Sequence, residues 1–381
     1  MTTLTALFKP HTLGALQLAN RIVMPPLTRA RSSQPGDVPN AMMAEYYGQR
    51  ASAGLVIAEA TDISTQGKGY SNTPGVYTPA QIDGWKLVTQ AVHAKGGKIF
   101  LQIWHTGRMS HTHFHGGALP VAPSAVPFEG QIWLASDAAG NGSMVDCPTP
   151  RALETDEITQ VVADFRQAAL NAIAAGFDGV EIHGANSYLI DQFLRTTSNL
   201  RSDAYGGSRD NRLRFLEEVV AAVIDAIGAE RTGLRLSPYI TARGMNCPDI
   251  LPTVLEAASR MDRIGLAYLH IAEAEWSDAP TIDESFRTAL RPNFTRTLIV
   301  AGRYDMARAE QILDDGYADL VAFGRSFIAN PDLPERLKNG WPLNELQYAS
   351  LFGGNAEGYT TYPAYRADRF EAANTPEELA A

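Results

Sequence analysis

The chain has 381 residues, of which 45% are hydrophobic and 19% charged, with a formal net charge of -10. This is enough apolar material for one large, elaborated core and too little charge for a disordered chain. The acidic balance, with no Lys/Arg-rich run, argues against a nucleic-acid partner. Cys147 and Cys247 are the only cysteines, which excludes a disulfide framework and a four-thiolate metal or iron–sulfur site. No segment reads as a secretion signal or approaches the ~20 apolar residues of a membrane span, so a soluble, cytoplasmic protein is expected.

Short apolar, β-branched runs alternate with stretches of helical periodicity. Strands are predicted at Arg21 to Met24, Leu55 to Glu59, Lys98 to Ile103, Gly179 to His183, Gly233 to Leu236, Ala267 to Ile271, Leu298 to Ala301 and Leu320 to Phe323. Helices are predicted near Ala41 to Ala53, Pro79 to Ala94, Ile158 to Ala175, Arg209 to Ile227, Ile250 to Arg263, Met306 to Asp314 and Leu333 to Lys338. About eight strands with intervening helices is the pattern of an α/β fold that closes as a (β/α)8 TIM barrel. Met109 to Pro150, rich in Gly, Pro and Ser, breaks the rhythm and reads as an inserted segment after strand 3 that covers the barrel mouth. One barrel domain to about residue 367 is expected, with 368–381 as a C-terminal tail suited to disorder.

In such a barrel the chemistry sits where the strands end. Polar groups stand at nearly every exit: Thr28 after the first strand, Thr61 after the second, Gln102 and Trp104 at the third, His183, Asn186 and Tyr188 at the fourth, and Arg235 in the fifth. An inward arginine needs a carboxylate or a ligand to offset its desolvation. Gln102, Trp104 and His183, taken singly, are equally compatible with structural roles. Gly302 and Gly324 close strands seven and eight, where barrels hold a phosphate on backbone N–H groups, and Arg325 can add a bidentate contact. A phosphate at one side of a polar and apolar cavity, without a Rossmann glycine fingerprint, suggests a bound mononucleotide.

These residues lie in motifs that together resemble the Old Yellow Enzyme family of flavin reductases along nearly the whole chain. The segments are Asn20-Arg-Ile-Val-Met-Pro-Pro-Leu-Thr28, Ala44-Glu-Tyr-Tyr-Gly-Gln-Arg-Ala51, Gln102-Ile-Trp-His-Thr-Gly-Arg108, Gly179-Val-Glu-Ile-His-Gly-Ala-Asn-Ser-Tyr188, Tyr205-Gly-Gly-Ser208 with Asn211-Arg212, and Phe323-Gly-Arg325. The threonine at Thr28 is that of the classical branch. The resemblance implies tightly, non-covalently bound FMN held by Pro26, Leu27, Thr28, Ala60, Gln102, Arg235, Gly302, Arg303, Phe323, Gly324 and Arg325. It also implies NADPH or NADH as co-substrate, and His183 and Asn186 as donors to a substrate oxygen. Tyr188 stands as proton donor, and Tyr70, Trp104, Trp276 and Tyr359 line the pocket.

The activity so implied is ping-pong reduction of activated alkenes (enones, maleimides, nitroalkenes) by a monomer or homodimer, with no metal, nucleic acid or membrane involved. A flavin-binding redox sensor or interaction protein without a dedicated alkene is the alternative, and a flavin-free barrel lyase or isomerase a third. The His111, His113, His115 run reads as a solvated loop rather than a metal site.

Overall fold

The structure, a computed structural model, describes residues 5–136, 141–273 and 282–366. Its strands are β1 (His11–Leu13), β2 (Leu16–Leu18), β3 (Ile22–Met24), β4 (Leu55–Asp62), β5 (Ile99–Trp104), β6 (Val121–Ala122), β7 (Gln131–Ala135), β8 (Gly142–Asp146), β9 (Arg151–Ala152), β10 (Gly179–His183), β11 (Thr232–Leu236), β12 (Tyr268–Ala272), β13 (Thr297–Ala301) and β14 (Leu320–Ala322). Its helices are α1 (Ala41–Gln49), α2 (Pro79–His93), α3 (Thr155–Ala174), α4 (Leu189–Leu194), α5 (Arg209–Ile227), α6 (Ile250–Ile264), α7 (Glu284–Asn293), α8 (Met306–Asp314), α9 (Gly324–Ala329) and α10 (Leu333–Asn339).

β3, β4, β5 and β10 to β14 pair in parallel and close into a barrel, β10 bonding to both β5 and β11. The eight expected strands are these eight. Most element ends lie within a residue of expectation, and the ends of β4 and α1 lie further off. β4 runs to Asp62, beyond the expected Glu59, through a bulge between Ala58 and Thr61. α1 stops at Gln49 because the chain must turn at Gly54, where a side chain would overlap the Asn20 carbonyl.

The barrel interior is stratified. Val23, Leu55, Ile57, Phe100, Tyr268, Ile299 and Leu320 fill its lower part, and Leu13 and Leu18 of the β1–β2 hairpin pack onto them as a plug. The upper part carries polar side chains, among them Gln102, Glu181 and His270. A larger cluster joins the outer strand faces to the helices; α3, for instance, buries Ile158, Val161, Phe165 and Ala172 at helical spacing.

The segment between β5 and α3 is pinched at its neck by parallel pairing of β6 with β9, and carries the β7–β8 hairpin. The segment bends over the mouth: Phe128 and Met109 are buried against Ala60, Trp104 and Tyr188, and the Ala135 N–H donates to Ser71 Oγ at 2.9 Å. No described helix is long and apolar enough to cross a membrane.

Gly233 faces Tyr268 across the β11–β12 ladder, and a Cβ there would overlap the Tyr268 ring. Tyr268 is fully buried and has nowhere to move. Gly233→Ala is therefore expected to cost about 1–3 kcal/mol through overpacking. This would appear as a lower urea midpoint, and an unchanged midpoint would show that the barrel interior is slack here.

Candidate active site

β10 ends at His183, and the chain leaves through Asn186 and Ser187, both left-handed with φ of 58° and 69°. Such backbone costs an L-residue on the order of 1 kcal/mol or more and persists only where its surroundings enforce it. Here the Asn186 N–H donates to Ser237 Oγ (2.8 Å), the Ser187 N–H to Asp191 Oδ2 (2.9 Å), and Gln192 Nε2 to the Ser187 carbonyl (2.7 Å). Asp191 is locked in turn by a buried ion pair with Arg195 at 2.7 Å, and Arg195 gives its other N–H groups to the carbonyls of Ser237, Ile240 and Met245. The loop is thereby folded back so that the Tyr188 ring lies edge-on to His183 at 4.8 Å.

The protonation of His183 follows from its partners. The Ala185 N–H donates to Nδ1 at 3.3 Å, so Nδ1 offers a lone pair and the ring proton sits on Nε2. Burial, reinforced by the positive Arg235 and by His270, holds the imidazole well below its ordinary pKa. His183 is thus a neutral N–H donor at any working pH. Asn186 Oδ1 is buried and has no hydrogen-bond partner among the described residues.

An aromatic wall stands beside this pair. Trp104 lies nearly parallel to Tyr70 (5.7 Å, 17°) and to His183 (6.0 Å, 14°), and edge-on to Tyr188 (4.5 Å). The Tyr70 and Tyr188 hydroxyls are 3.3 Å apart. The Trp104 indole donates at 2.7 Å to Asp62, whose carboxyl is pushed up to about 8, chiefly by burial. Deeper in the barrel, Gln102 donates to Glu181 Oε1 (2.8 Å), and Glu181 Oε2 meets His270 Nδ1 (2.8 Å). Arg235 lies between His183 and His270 in the ladder.

At the far side, β13 and β14 exit through Gly302 and Gly324. A Cβ on Gly302 would come within 3.0 Å of the buried Glu273 carboxylate, so this glycine has a structural reason of its own. Gly324 has none: its Cβ would meet only Leu27 at 3.6 Å and Pro25 at 3.8 Å, ordinary contacts. Gly324 opens α9 after Phe323, with Arg303 and Arg325 exposed beside it. Pro26, Leu27 and Thr28 lie in the loop after β3, which buried Glu59 anchors by accepting the N–H groups of Arg29 (3.1 Å) and Ala30 (3.0 Å).

Two expected pocket residues are not part of this gathering. Tyr359 does not line the wall. It is fully buried, stacked on Tyr46 at 4.0 Å and flanked by the Arg29 and Arg31 guanidinium groups, so it belongs to the clamp that holds the C-terminal segment. Trp276 lies outside the described residues. The histidine run forms a short 3-10 turn in which His115 bonds Ser110 at 2.8 Å, and no group of three metal-ligating side chains occurs among the described residues.

The family model for the NADH:flavin oxidoreductase / NADH oxidase family matches residues 6–344. The chain belongs to this family. It is 45% identical to 12-oxophytodienoate reductase 1 of Oryza sativa subsp. japonica over 368 residues, 94% of this chain and 92% of that protein. The structure of morphinone reductase in complex with tetrahydroNAD superposes with a TM-score of 0.91 at 50% identity, covering 95% of this chain and 98% of that one. An Old Yellow Enzyme homologue from Zymomonas mobilis superposes with a TM-score of 0.89 at 41% identity, covering 94% and 99%. The protein is accordingly an NAD(P)H-dependent flavin oxidoreductase of the Old Yellow Enzyme type, with FMN as cofactor.

The residues present fit FMN. The open approach over Gly324, with the N–H groups that begin α9 and two exposed guanidinium groups, suits a dianionic phosphate. Arg235 and Gln102, side by side with Glu181 and His270 in the upper part of the barrel, are of the polar kind that an electron-rich ring edge would engage. Residue types alone did not reveal Glu59, Asp62, Glu181 and His270, yet a signal was there. Glu181 stands between Val180 and Ile182 in an apolar run, and an ionisable group in such a place requires partners.

The Asp62 shift has a stability consequence. Its folded pKa of about 8 lies above the ordinary 3.8, so between these pH values the folded chain holds a proton that the unfolded chain has released. Stability from this group is fully present below the lower value and is lost as pH rises through the window. Asp62→Asn removes that loss. The urea midpoint of the parent should fall relative to the variant between pH 5 and 8, whereas parallel midpoints would show that Asp62 is already ionised.

Proposed function

We propose that this protein reduces the activated carbon–carbon double bond of small α,β-unsaturated carbonyl and nitro compounds, with Tyr188 as proton donor. The observation that carries the reading is the convergence, on one enforced loop, of a neutral imidazole donor, a buried amide and a phenol. When bound, FMN takes hydride from NAD(P)H and delivers it to the β-carbon of the alkene.

As that carbon gains hydride, negative charge grows on the substrate's carbonyl or nitro oxygen. His183 Nε2–H and the Asn186 amide N–H donate to that oxygen, and in a site shielded from water such fixed donors lower the barrier without reorganising. A neutral imidazole is a very weak acid, so His183 stabilises the charge without surrendering its proton. The acid is therefore Tyr188, since a phenol is acidic enough to protonate the far more basic α-carbon. The Tyr70 hydroxyl, 3.3 Å from that of Tyr188, can donate to the phenolate left behind. Thr28 and Arg235 would hold the cofactor ring, and Gly324, Arg303 and Arg325 its phosphate.

Three measurements test this. The purified yellow protein should bleach with NADPH in the absence of oxygen and recolour when cyclohexenone or maleimide is added; colour that returns only with oxygen would refute alkene reduction. Tyr188→Phe should leave flavin reduction within about twofold while slowing the enone half-reaction by about 10²-fold or more in stopped flow. Two unchanged half-reactions would exclude Tyr188 as the acid. His183→Ala should weaken binding of a phenol, which mimics an enolate oxygen, by at least about tenfold; undiminished affinity would remove His183 from the oxyanion site.

A further inference from the structure

Asp62 is fully buried at the end of β4 and takes no part in the proton and charge chemistry of His183, Asn186 and Tyr188. Its Oδ1 accepts the indole N–H of Trp104 at 2.7 Å, and its Oδ2 accepts the hydroxyl of Thr73 at 2.9 Å. The single Thr73 hydroxyl proton is shared between Asp62 Oδ2 and the Tyr70 carbonyl, 3.1 Å away, so one carboxyl ties together the residues that present both stacked rings of the wall.

The backbone is arranged for this contact. β4 and β5 run in register to Ala58 opposite Leu101, then shift by one residue so that Thr61 faces Ile103 and Asp62 faces Trp104. Without the extra residue, Thr61 would stand opposite Trp104. The bulge substitutes a carboxyl for a threonine at that place, the kind of local re-aiming for which bulges recur near active sites.

Stacking on Tyr70 and His183 does not by itself define the indole. The torsion that rotates an aromatic ring about its bond to Cβ is broad and roughly two-fold, so a flat slot between Tyr70 and His183 admits the ring either way up. The two orientations differ in which edge carries the N–H and in where the six-membered ring protrudes. Only one returns the N–H to Asp62; the other leaves the indole N–H and Asp62 Oδ1 buried without that bond.

We infer that Asp62 is a specificity-determining positioning residue, which holds Trp104 in one orientation and thereby sets which face of a substituted alkene is presented for reduction. The inference rests on the proposed alkene-reductase activity. Asn in place of Asp62 keeps an acceptor for the indole and is close in shape to the protonated carboxyl that burial favours.

The test uses the FMN-loaded enzyme and a β-methyl cyclohexenone, and reads the enantiomer ratio of the product in a double-mutant cycle. Asp62→Ala should change the ratio at least about fivefold, roughly 1 kcal/mol of transition-state discrimination. In a Trp104→Phe background the same substitution should change it by less than about 1.5-fold, and Asp62→Asn should retain the parental ratio. Thr73→Val, which removes the hydroxyl shared by the carboxyl and the Tyr70 carbonyl but leaves Asp62 in place, should move the ratio in the same direction as Asp62→Ala, and keeps the test decisive if Asp62→Ala does not fold.

A second readout needs no substrate: the indole ¹H–¹⁵N signal of Trp104, identified by its loss in Trp104→Phe. In Asp62→Ala it should move upfield and exchange with deuterium at least about tenfold faster. An equal change of ratio in both backgrounds, an unchanged ratio in both Asp62→Ala and Thr73→Val, or an unmoved indole signal would overturn the inference. Failure of the unsubstituted enzyme to reduce any enone would instead overturn the activity on which it rests.

Discussion

An irregular loop that leaves a barrel strand can be buried only if its backbone N–H groups and the polar side chains around it find fixed acceptors. In this protein buried carboxyl groups supply a recurring set of them. Glu59 receives two successive N–H groups of the loop after β3, Asp191 receives the Ser187 N–H of the loop after β10, and Asp62, Glu181 and Glu273 receive Trp104, Gln102 and Tyr304. Asp62 ends β4, Glu273 follows β12 and Asp191 lies in the first turn of α4, while Glu59 and Glu181 lie within β4 and β10. Every conformation that matters for the chemistry, including the left-handed pair Asn186 and Ser187, depends on one of them.

Burial of these acids has an electrostatic side. Desolvation pushes the carboxyls of Glu59, Asp62 and Glu273 up, and the same effect drives the imidazoles of His105, His183 and His270 down. Both trends favour neutral groups. The mouth of the barrel therefore holds several donors and acceptors that burial biases toward their neutral forms, beside ion pairs such as Asp191–Arg195. A developing anion in such a setting is met by oriented dipoles rather than by competing ions.

The barrel was legible from the chain because strand runs such as Lys98 to Ile103 are short, apolar and bounded, and because polar residues stood at their exits. The same logic drew attention to His183, Asn186 and Tyr188, and the motifs around them supplied the family. What escaped lacked contrast. α7 is only ten residues long, buries only Phe286 and Leu290 and contains Pro292, so despite its amphipathic spacing it reads as a polar connection. The β1–β2 plug and the β7–β8 hairpin are strands of three and five residues whose hydrophobic alternation is too brief to register. Tyr359 was misplaced for a different reason: an aromatic in a Gly-rich tail carries no indication of whether it faces a cavity or the underside of Tyr46. Asp62 was hidden by the bulge, since no residue pattern reveals an extra residue in one strand of a parallel pair.

The hydrophobic plug beneath the barrel separates two tasks in space. Leu13 and Leu18 close a lower layer made almost wholly of hydrocarbon, while the titratable and hydrogen-bonding side chains occupy the layer above. Cohesion of the fold is thus anchored one storey below the reactive surface. Mutational drift among the loops of the mouth can reshape what the pocket accepts while the foundation stays intact, a route to diversification that a barrel with reactive groups through its whole depth would not possess.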